Sequence, residues 1–383
     1  MRARIVKVAE MDPRDIALWS KLLRVALNPY PYLDPRMVLP SVRLRPNDHD
    51  GDMELIVVED NDEFIALMPF ERKAMAGRLK LAGVSTRSDF LATESSWDHP
   101  LIHSERSVEA CEALLKGLRT LRLPRLIEFA TFPWGGQLEV ALVEATERLN
   151  VRLLERDRAE YAYARRSTPA SRDASPIGAS EPSFALEHAS ARMRKQLAKR
   201  SAALVARVGD RLRIEDRGAD PVAVDQFIEL QAAGWKGDPQ RGGWGLKVRG
   251  YERWFAEVAS LYRADGDLAI YVLSAGSETI HIRVMFRIGE TMFAYQDAYN
   301  ERFAEFAPGT LGRAAAINRA FREAGIERYE PNLAPAYVES SRLYPDRQTR
   351  VKLLVANGGP LATSVVRTLP AARSLLSGVG RPA

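Results

Sequence analysis

Seventeen residues near the middle of the chain, Ser167–Ser183 (STPASRDASPIGASEPS), constrain its folding more than any other stretch. They are rich in Ser, Pro, Ala and Gly and carry no apolar period, which is the composition of a linker rather than of a packed element. The chain is therefore expected to fold as two bodies, residues 1–166 and 184–356, followed by a small-residue tail over 357–383. Its 383 residues agree, since a single core stops growing well short of that length and domains of about 100–200 residues are the norm.

Both halves predict nearly the same order of elements. In the first, Ala3–Ala9 alternates as a half-buried strand, and Asp12-Pro13 opens a helix through Val25 with an N-cap and an N1 proline. Asn28–Pro46, rich in Pro and Tyr, reads as a long surface loop. Strands at Met53–Glu59, Glu63–Phe70 and Arg78–Val84 follow, then a helix at Ser104–Leu118. A strand at Leu126–Phe132, a helix at Gly136–Leu149 and a strand at Arg152–Ala164 complete it. In the second half a helix at Ala189–Val208 precedes a strand at Leu212–Glu215 and a helix at Pro221–Ala233. A glycine-rich loop, Gly234–Gly250, leads to a helix at Tyr251–Arg263. An antiparallel meander is expected over Leu268–Ser274, Thr279–Ile288 and Thr291–Tyr299. A helix over Leu311–Ala324, ended by Gly325, and strands at Glu327–Leu333 and Arg347–Val355 close the half, with a short tail helix at Ser364–Leu376. The fold class is mixed α/β: two copies of one unit, each a mainly antiparallel sheet flanked by helices.

Several chemistries are disfavoured. The single cysteine, Cys111, rules out an intramolecular disulfide and a cysteine-based zinc site. The histidines (49, 99, 103, 188 and 281) are scattered, and Pro100 keeps His99 and His103 off a shared helix face, so no metal is expected. There is no G-x-S-x-G, no Walker motif and no strand-linked G-x-G-x-x-G. The net charge of +5 allows an anionic ligand without demanding nucleic acid. No run approaches the roughly 20 apolar residues of a membrane span, and the N-terminus lacks an apolar targeting core, which makes the cytoplasm the expected compartment.

Four features could carry chemistry. Alternation in Thr291–Tyr299 sets Phe293, Tyr295, Asp297 and Tyr299 on one face. Asp297 there is either a proton acceptor for an attacking amine or the wet end of an aromatic face packed on a helix. Downstream, Ala307-Pro308-Gly309-Thr310-Leu311-Gly312-Arg313 opens a helix. Its first-turn amides suit a phosphate, with Gly312 leaving room and Arg313 free to pair with it; a plain helix start is the alternative. In the glycine-rich loop, Trp235, Lys236 and Trp244 could clamp a ligand, or two indoles could simply pin the loop. The helix Ala189–Val208 carries six basic residues from Arg192 to Arg207 and no acid among them, but lacks the aromatics that stack bases.

Gly234-Trp235-Lys236-Gly237, the meander, Ala298-Tyr299-Asn300, Phe303-Ala304 and Ala307-Pro308-Gly309-Thr310-Leu311 together resemble the CelD-like (cellulose-biosynthesis-associated) acetyltransferases of the GNAT superfamily. These are close in architecture to the FemABX peptidyl transferases. The resemblance spans about Ser190 to Leu354, and the first half shares only element order. It implies tandem GNAT-like domains, with acyl-CoA (acetyl-CoA as donor) bound by the second and its pyrophosphate at residues 307–313. It further implies that the strand ending at Tyr299 splays from Arg328–Leu333 to admit the pantetheine arm, and that Asp297, Tyr295, Tyr299 and Glu330 lie at the reaction centre. Trp235, Lys236, Trp244 and Tyr337 would face an amine acceptor on a small molecule, sugar or peptide.

The chain departs from the family pattern on the acceptor side. Tyr299-Asn300 stands for Tyr-Asp, and Glu330-Pro331-Asn332-Leu333-Ala334 with Tyr337-Val338 lacks the family's Arg and Lys. Two other readings follow: a FemABX-like transferase using aminoacyl-tRNA, or a degenerate scaffold in polysaccharide synthesis. In the first domain, Pro133-Trp134-Gly135-Gly136 sits where a phosphate loop would, but no CoA site is expected there. Trp97, Asp98 and His99 are candidates to line the acceptor cleft from that domain.

Overall fold

The structure, a computed structural model, describes residues 1–44, 53–75, 81–87, 94–95, 97–166, 181–184, 186, 189–323 and 325–368. Most of the expected linker, His49 and His188 lie outside these. The chain divides into two compact units. The first comprises Met1–Val42, the described residues up to Glu160, and the chain from Gln348 onward; the second comprises Tyr161–Arg347 with Arg43 and Leu44.

In the first unit, β1 (Arg2–Lys7), β2 (Glu54–Asp60), β3 (Glu63–Met75) and β4 (Leu81–Ser85) pair antiparallel in sequence, and the two-residue β5 (Leu101–Ile102) joins β3. The sheet then takes one parallel step from β4 to β6 (Leu126–Pro133). Helices α1 (Pro13–Val25), α3 (Ser107–Thr120) and α4 (Gln137–Arg148) have the expected apolar spacing. On α3 the stripe Cys111, Leu114, Leu115 and Leu118 is buried, each large side chain stabilising by about 1.5–3 kcal/mol.

Two expectations for this unit fail. Within the supposed loop Asn28–Pro46 lies a helix, α2 (Pro35–Leu44), started by Pro35 after Asp34, whose carboxylate accepts from the Arg36 amide at 2.8 Å. Pro40, inside the helix, hid it from a propensity reading. The last strand, β13 (Asp346–Ala356), was assigned by order to the second domain, yet from Gln348 it belongs to the first unit. There it pairs antiparallel with β6 and lies beside β7 (Arg152–Arg165). Its buried Val351, Leu353 and Val355 join the core of Ile127, Phe129 and Leu118. The tail begins with a helix over residues 360–368, earlier than expected.

The second unit repeats the plan. After α5 (Ala191–Val208) come β8 (Leu212–Asp216), α6 (Val222–Ala233), the short α7 (Leu246–Arg249) and α8 (Glu252–Ala264). Strands β8, β9 (Leu268–Ala275), β10 (Glu278–Ile288) and β11 (Thr291–Tyr299) form the antiparallel meander. Helix α9 (Pro308–Ala320) then crosses over to β12 (Arg328–Glu330), which runs parallel to β11 and antiparallel to the end of β7. The stripe Ala314-Ala315-Ala316 lets α9 approach the sheet closely over Met285, Met292 and Ala294. The opposite face is aromatic, with Trp254, Phe255 and Tyr262 of α8 against Phe286 and Tyr295. Among the described residues no helix is long and apolar enough to cross a membrane.

Candidate active site in the second unit

Strand β11 departs from simple alternation. Arg283 pairs with Asp297 but Met285 with Ala294, so three residues of β11 span two of β10. The resulting bulge at Tyr295-Gln296 moves the side chains after it to the other face. Tyr295 stacks on Phe255 of α8, with centroids 5.4 Å apart, and Gln296 accepts from Gln231 of α6 at 2.7 Å. Asp297 and Tyr299 instead face α9. The expectation that Tyr295 and Asp297 share a face is thereby corrected, and Tyr295 is an aromatic core residue.

Asp297, 3% exposed, is surrounded by cations. Its Oδ2 accepts from Arg313 Nε at 2.7 Å and lies 3.1 Å from Arg283 Nη1 and 3.4 Å from His281 Nε2. Lys236 Nζ donates to its Oδ1 at 3.0 Å and to its main-chain carbonyl at 2.6 Å. Burial pushes the carboxyl up, but Lys236, Arg313, His281 and Arg283 outweigh it and hold it well below the usual carboxylate range. A carboxylate so firmly ionised is a poor proton acceptor, and its geometry is that of a buried counter-ion. Burial also lowers His281, against the pull of Asp297, which keeps the imidazole neutral.

Helix α9 begins at Ala307, a non-glycine residue in the left-handed region (φ 52°). The Thr310 and Leu311 amides turn back onto the Ala307 carbonyl at 3.0 and 3.1 Å. Gly309 is half-buried, its amide has no protein acceptor among the described residues, and a Cβ there would touch the Tyr299 ring at 3.4 Å. The first turn carries no acid. Of the first-turn amides expected to cradle a phosphate, those of Thr310 and Leu311 are thus engaged and that of Gly309 is left. Gly312 leaves room not for a ligand but for His281, and Arg313 pairs with Asp297 instead of standing free.

The sheet opens along the strand that leads to this turn. Strands β11 and β12 pair only from Thr291/Arg328 to Phe293/Glu330, after which β11 continues to Tyr299 with β10 as its partner and no longer with β12. Pro331 ends β12, as a residue without a donor N–H should. Glu330 is buried and bonded to Arg328 Nε at 2.6 Å, so it too is committed to an ion pair.

At the end of β11, Tyr299, Ala298, Lys236, Trp235, Gly234, Gln231 and Leu230 line a small, shallow cleft open to solvent. The glycine-rich loop beside it is folded on itself: a Cβ at Gly243 would lie 2.4 Å from the Trp235 carbonyl oxygen. Buried Gln231 ties the loop to the sheet by accepting from the Leu246 amide at 2.6 Å. Trp244 is 48% exposed, stacks on the Arg249 guanidinium at 4.3 Å and does not line this cleft. Tyr337 is 61% exposed at the start of α10 (Val338–Ser341), whose Ser340 hydroxyl accepts from Arg313 at 2.9 Å. The residues missed from sequence are Arg283 and His281, which read as ordinary strand positions until the bulge sets them opposite Asp297 and Tyr299.

The first-unit candidates are core groups. Trp97 and His99 are buried around Tyr30, whose hydroxyl donates to the His99 carbonyl at 2.8 Å, and the Arg350 guanidinium lies 3.7 Å over Trp97. Burial pushes Asp98 up to about 6 although Thr131 donates to it at 2.9 Å, and burial pulls His99 down to about 3. In the loop before α4 the Gly135 amide donates to Glu139 at 2.6 Å, which sets a carboxylate where a phosphate would have to sit. No group of His, Cys, Asp and Glu among the described residues has the arrangement of a metal site.

Residues 191–334 match the family model described as "Acetyltransferase (GNAT) domain". No curated protein matches the chain. Among solved structures, the chain is similar to the C-terminal domain of a putative lysylphosphatidylglycerol synthetase from Agrobacterium fabrum, at 12% identity and a TM-score of 0.46 over 91% of this chain and 97% of that one. FemX matches at 11% identity and a TM-score of 0.41, covering 93% and 97%. A tandem GNAT protein from the clavulanic acid biosynthesis pathway matches at 14% identity and 0.38, covering 94% and 99%.

Proposed function

We propose that the second unit is an acyltransferase that moves an acyl group, expected to be acetyl, from acyl-CoA to an amine. The observation that carries this reading is the opening between β11 and β12 after three parallel pairs, with Gly309 of the α9 N-terminus beside Tyr299 at the end of β11. An acyl thioester bound there supplies an activated carbonyl carbon. Gly309 is the residue to hold its phosphates, through an amide without a protein acceptor among the described residues and a helix dipole with no acid in the first turn.

Transfer forms a C–N bond to the amine and breaks the C–S bond, so a proton must leave the amine and one must reach the departing sulfur. With Asp297, Glu330 and Tyr295 committed to structure, Tyr299 is the candidate that remains beside both Gly309 and the cleft. Its phenol carries the proton for the sulfur, and solvent takes the proton from the amine. Trp235 and Lys236 form the acceptor wall. The CelD-like assignment rests on the sequence motifs.

Calorimetric titration with acetyl-CoA tests the reading. Saturable binding by the native chain that weakens at least tenfold in Gly309→Val, where a branched side chain would meet Tyr299, is the expected result. The absence of binding would overturn it.

One observation favours a second donor. Arg192, Arg194, Lys195 and Lys199 are all exposed on α5. If the donor were aminoacyl-tRNA, tRNA binding would fall steeply with salt and flatten when these four are neutralised.

A further inference from the structure

The cluster around Asp297 holds more donors and more positive charge than the protein answers. Lys236, Arg283 and Arg313 carry three positive charges, and among the described residues Asp297 is the one carboxylate paired with them. His281 stays neutral, so two positive charges are left over. Surplus charge of one sign in a partly buried place is unfavourable unless a partner answers it.

A second and independent observation points the same way. Tyr344 is 1% exposed and stacks on Tyr329 with centroids 6.0 Å apart, and the Tyr329 hydroxyl accepts from Arg283 Nε at 3.3 Å. The Tyr344 hydroxyl itself has no hydrogen-bond partner among the described residues. Burial and the neighbouring Tyr329 push this phenol up, so it remains a donor at neutral pH. A buried hydroxyl without an acceptor is rare in native proteins. Arg313 and Lys236 are each about a fifth to a quarter exposed, and Lys236 lines the small cleft, so the cluster is reachable from outside.

We propose that these surplus donors bind an oxyanion, a carboxylate or a phosphoryl group, carried by the amine acceptor. That the anion belongs to the acceptor rests on the acyl-transfer reading; the anion site itself does not. Lys236 and Arg313 meet the anion at the surface of the cluster, and the Tyr344 hydroxyl supplies a neutral donor from within. Asp297 holds the cations in place. The substrate class is then an acidic amine, such as an amino acid or an amine bearing a phosphate, rather than a neutral amino sugar.

The test is calorimetric titration of the full chain with inorganic phosphate and, separately, with acetate, at constant ionic strength in chloride. Saturable binding of at least one anion is expected, and the tighter of the two names the group. Tyr344→Phe should weaken it about tenfold, the value of one hydrogen bond to a charged group. Its melting temperature without ligand should be unchanged, because the hydroxyl has no partner to lose among the described residues. Lys236→Met should weaken the same anion, and Gly309→Val should not. No saturable binding, an affinity unchanged in Tyr344→Phe, or a lower melting temperature for that variant would each overturn the proposal. Loss of acetyl-CoA binding with anion binding intact would sink the donor reading alone.

Discussion

Gly312 on α9 and His281 on β10 occupy one another's space: a Cβ at 312 would lie 2.1 Å from the His281 Cγ. The glycine is thus the reason a buried imidazole fits between helix and sheet beside Asp297. Gly312→Ala is expected to destabilise the second unit by about 1–3 kcal/mol, in the range of overpacked cores. Urea denaturation followed by tryptophan fluorescence measures it, and an unchanged midpoint would contradict the packing.

Asp297→Asn leaves three cations facing a neutral amide. Removing one partner of a buried ion network typically costs about 3–5 kcal/mol. The pH dependence has a definite sign. The folded pKa is depressed, so the carboxylate contributes stability in full above its unfolded value of about 4 and loses it as pH falls toward the folded value. Wild type should lose stability more steeply than Asp297→Asn below about pH 4. Parallel denaturation curves for the two proteins from pH 5 to 2.5 would show that the carboxylate is not held as described.

Asp98 has the opposite sign. Its folded pKa is raised from 3.8 to about 6 by burial, so below 3.8 the carboxyl is neutral in both states, and the penalty grows until pH passes 6. Asp98→Asn should therefore gain up to about 2–3 kcal/mol at pH 7.5 relative to its effect at pH 3.5. His99, pulled down to about 3, titrates in an overlapping window with stability rising with pH. Because the variant retains His99, the wild-type-minus-variant difference isolates the carboxyl. A difference independent of pH would refute the shift.

The two tyrosines of β11 should separate cleanly in kinetics. Tyr299→Phe removes the proton proposed for the departing sulfur and should lower kcat by the ~10²–10⁴-fold typical of a lost general acid. Tyr295→Phe keeps the ring that stacks on Phe255 and should leave kcat within a few-fold of wild type. Equal losses in both would place the phenols in the same role.

Element order and most boundaries of the meander were legible in the sequence, because β9 to β11 alternate strongly and are separated by Gly276-Ser277 and Gly289-Glu290. The helix start at Pro13 announced itself through its proline, whereas α9 begins at Pro308, three residues before the expected Leu311. The site was harder. A period of two predicts that Tyr295 and Asp297 share a face, and one extra residue in β11 reverses that without any glycine or proline to mark it. The counter-ion role of Asp297 depends on Arg283, Arg313 and Lys236, which are 14 to 61 residues away in sequence on other elements. No local pattern could have joined them. Pro40 and Pro331 each mark a place where the expectation failed: the first sits inside a helix expected as loop, the second ends at Glu330 a strand expected to run to Leu333.

The return of β13 to the first unit has a consequence for how the molecule is made. On the ribosome the first unit's opening strands emerge early, but the strand that pairs with β6 is translated only after Arg347, at the far end of the second unit. The body that begins first is finished last. A fragment cut at Arg166 would leave the inner edge of β6 unpaired, an invitation to associate with any other strand. The second unit, in contrast, has its meander and α9 in hand before β13 is synthesised, and can fold while the first still waits for its closing strand.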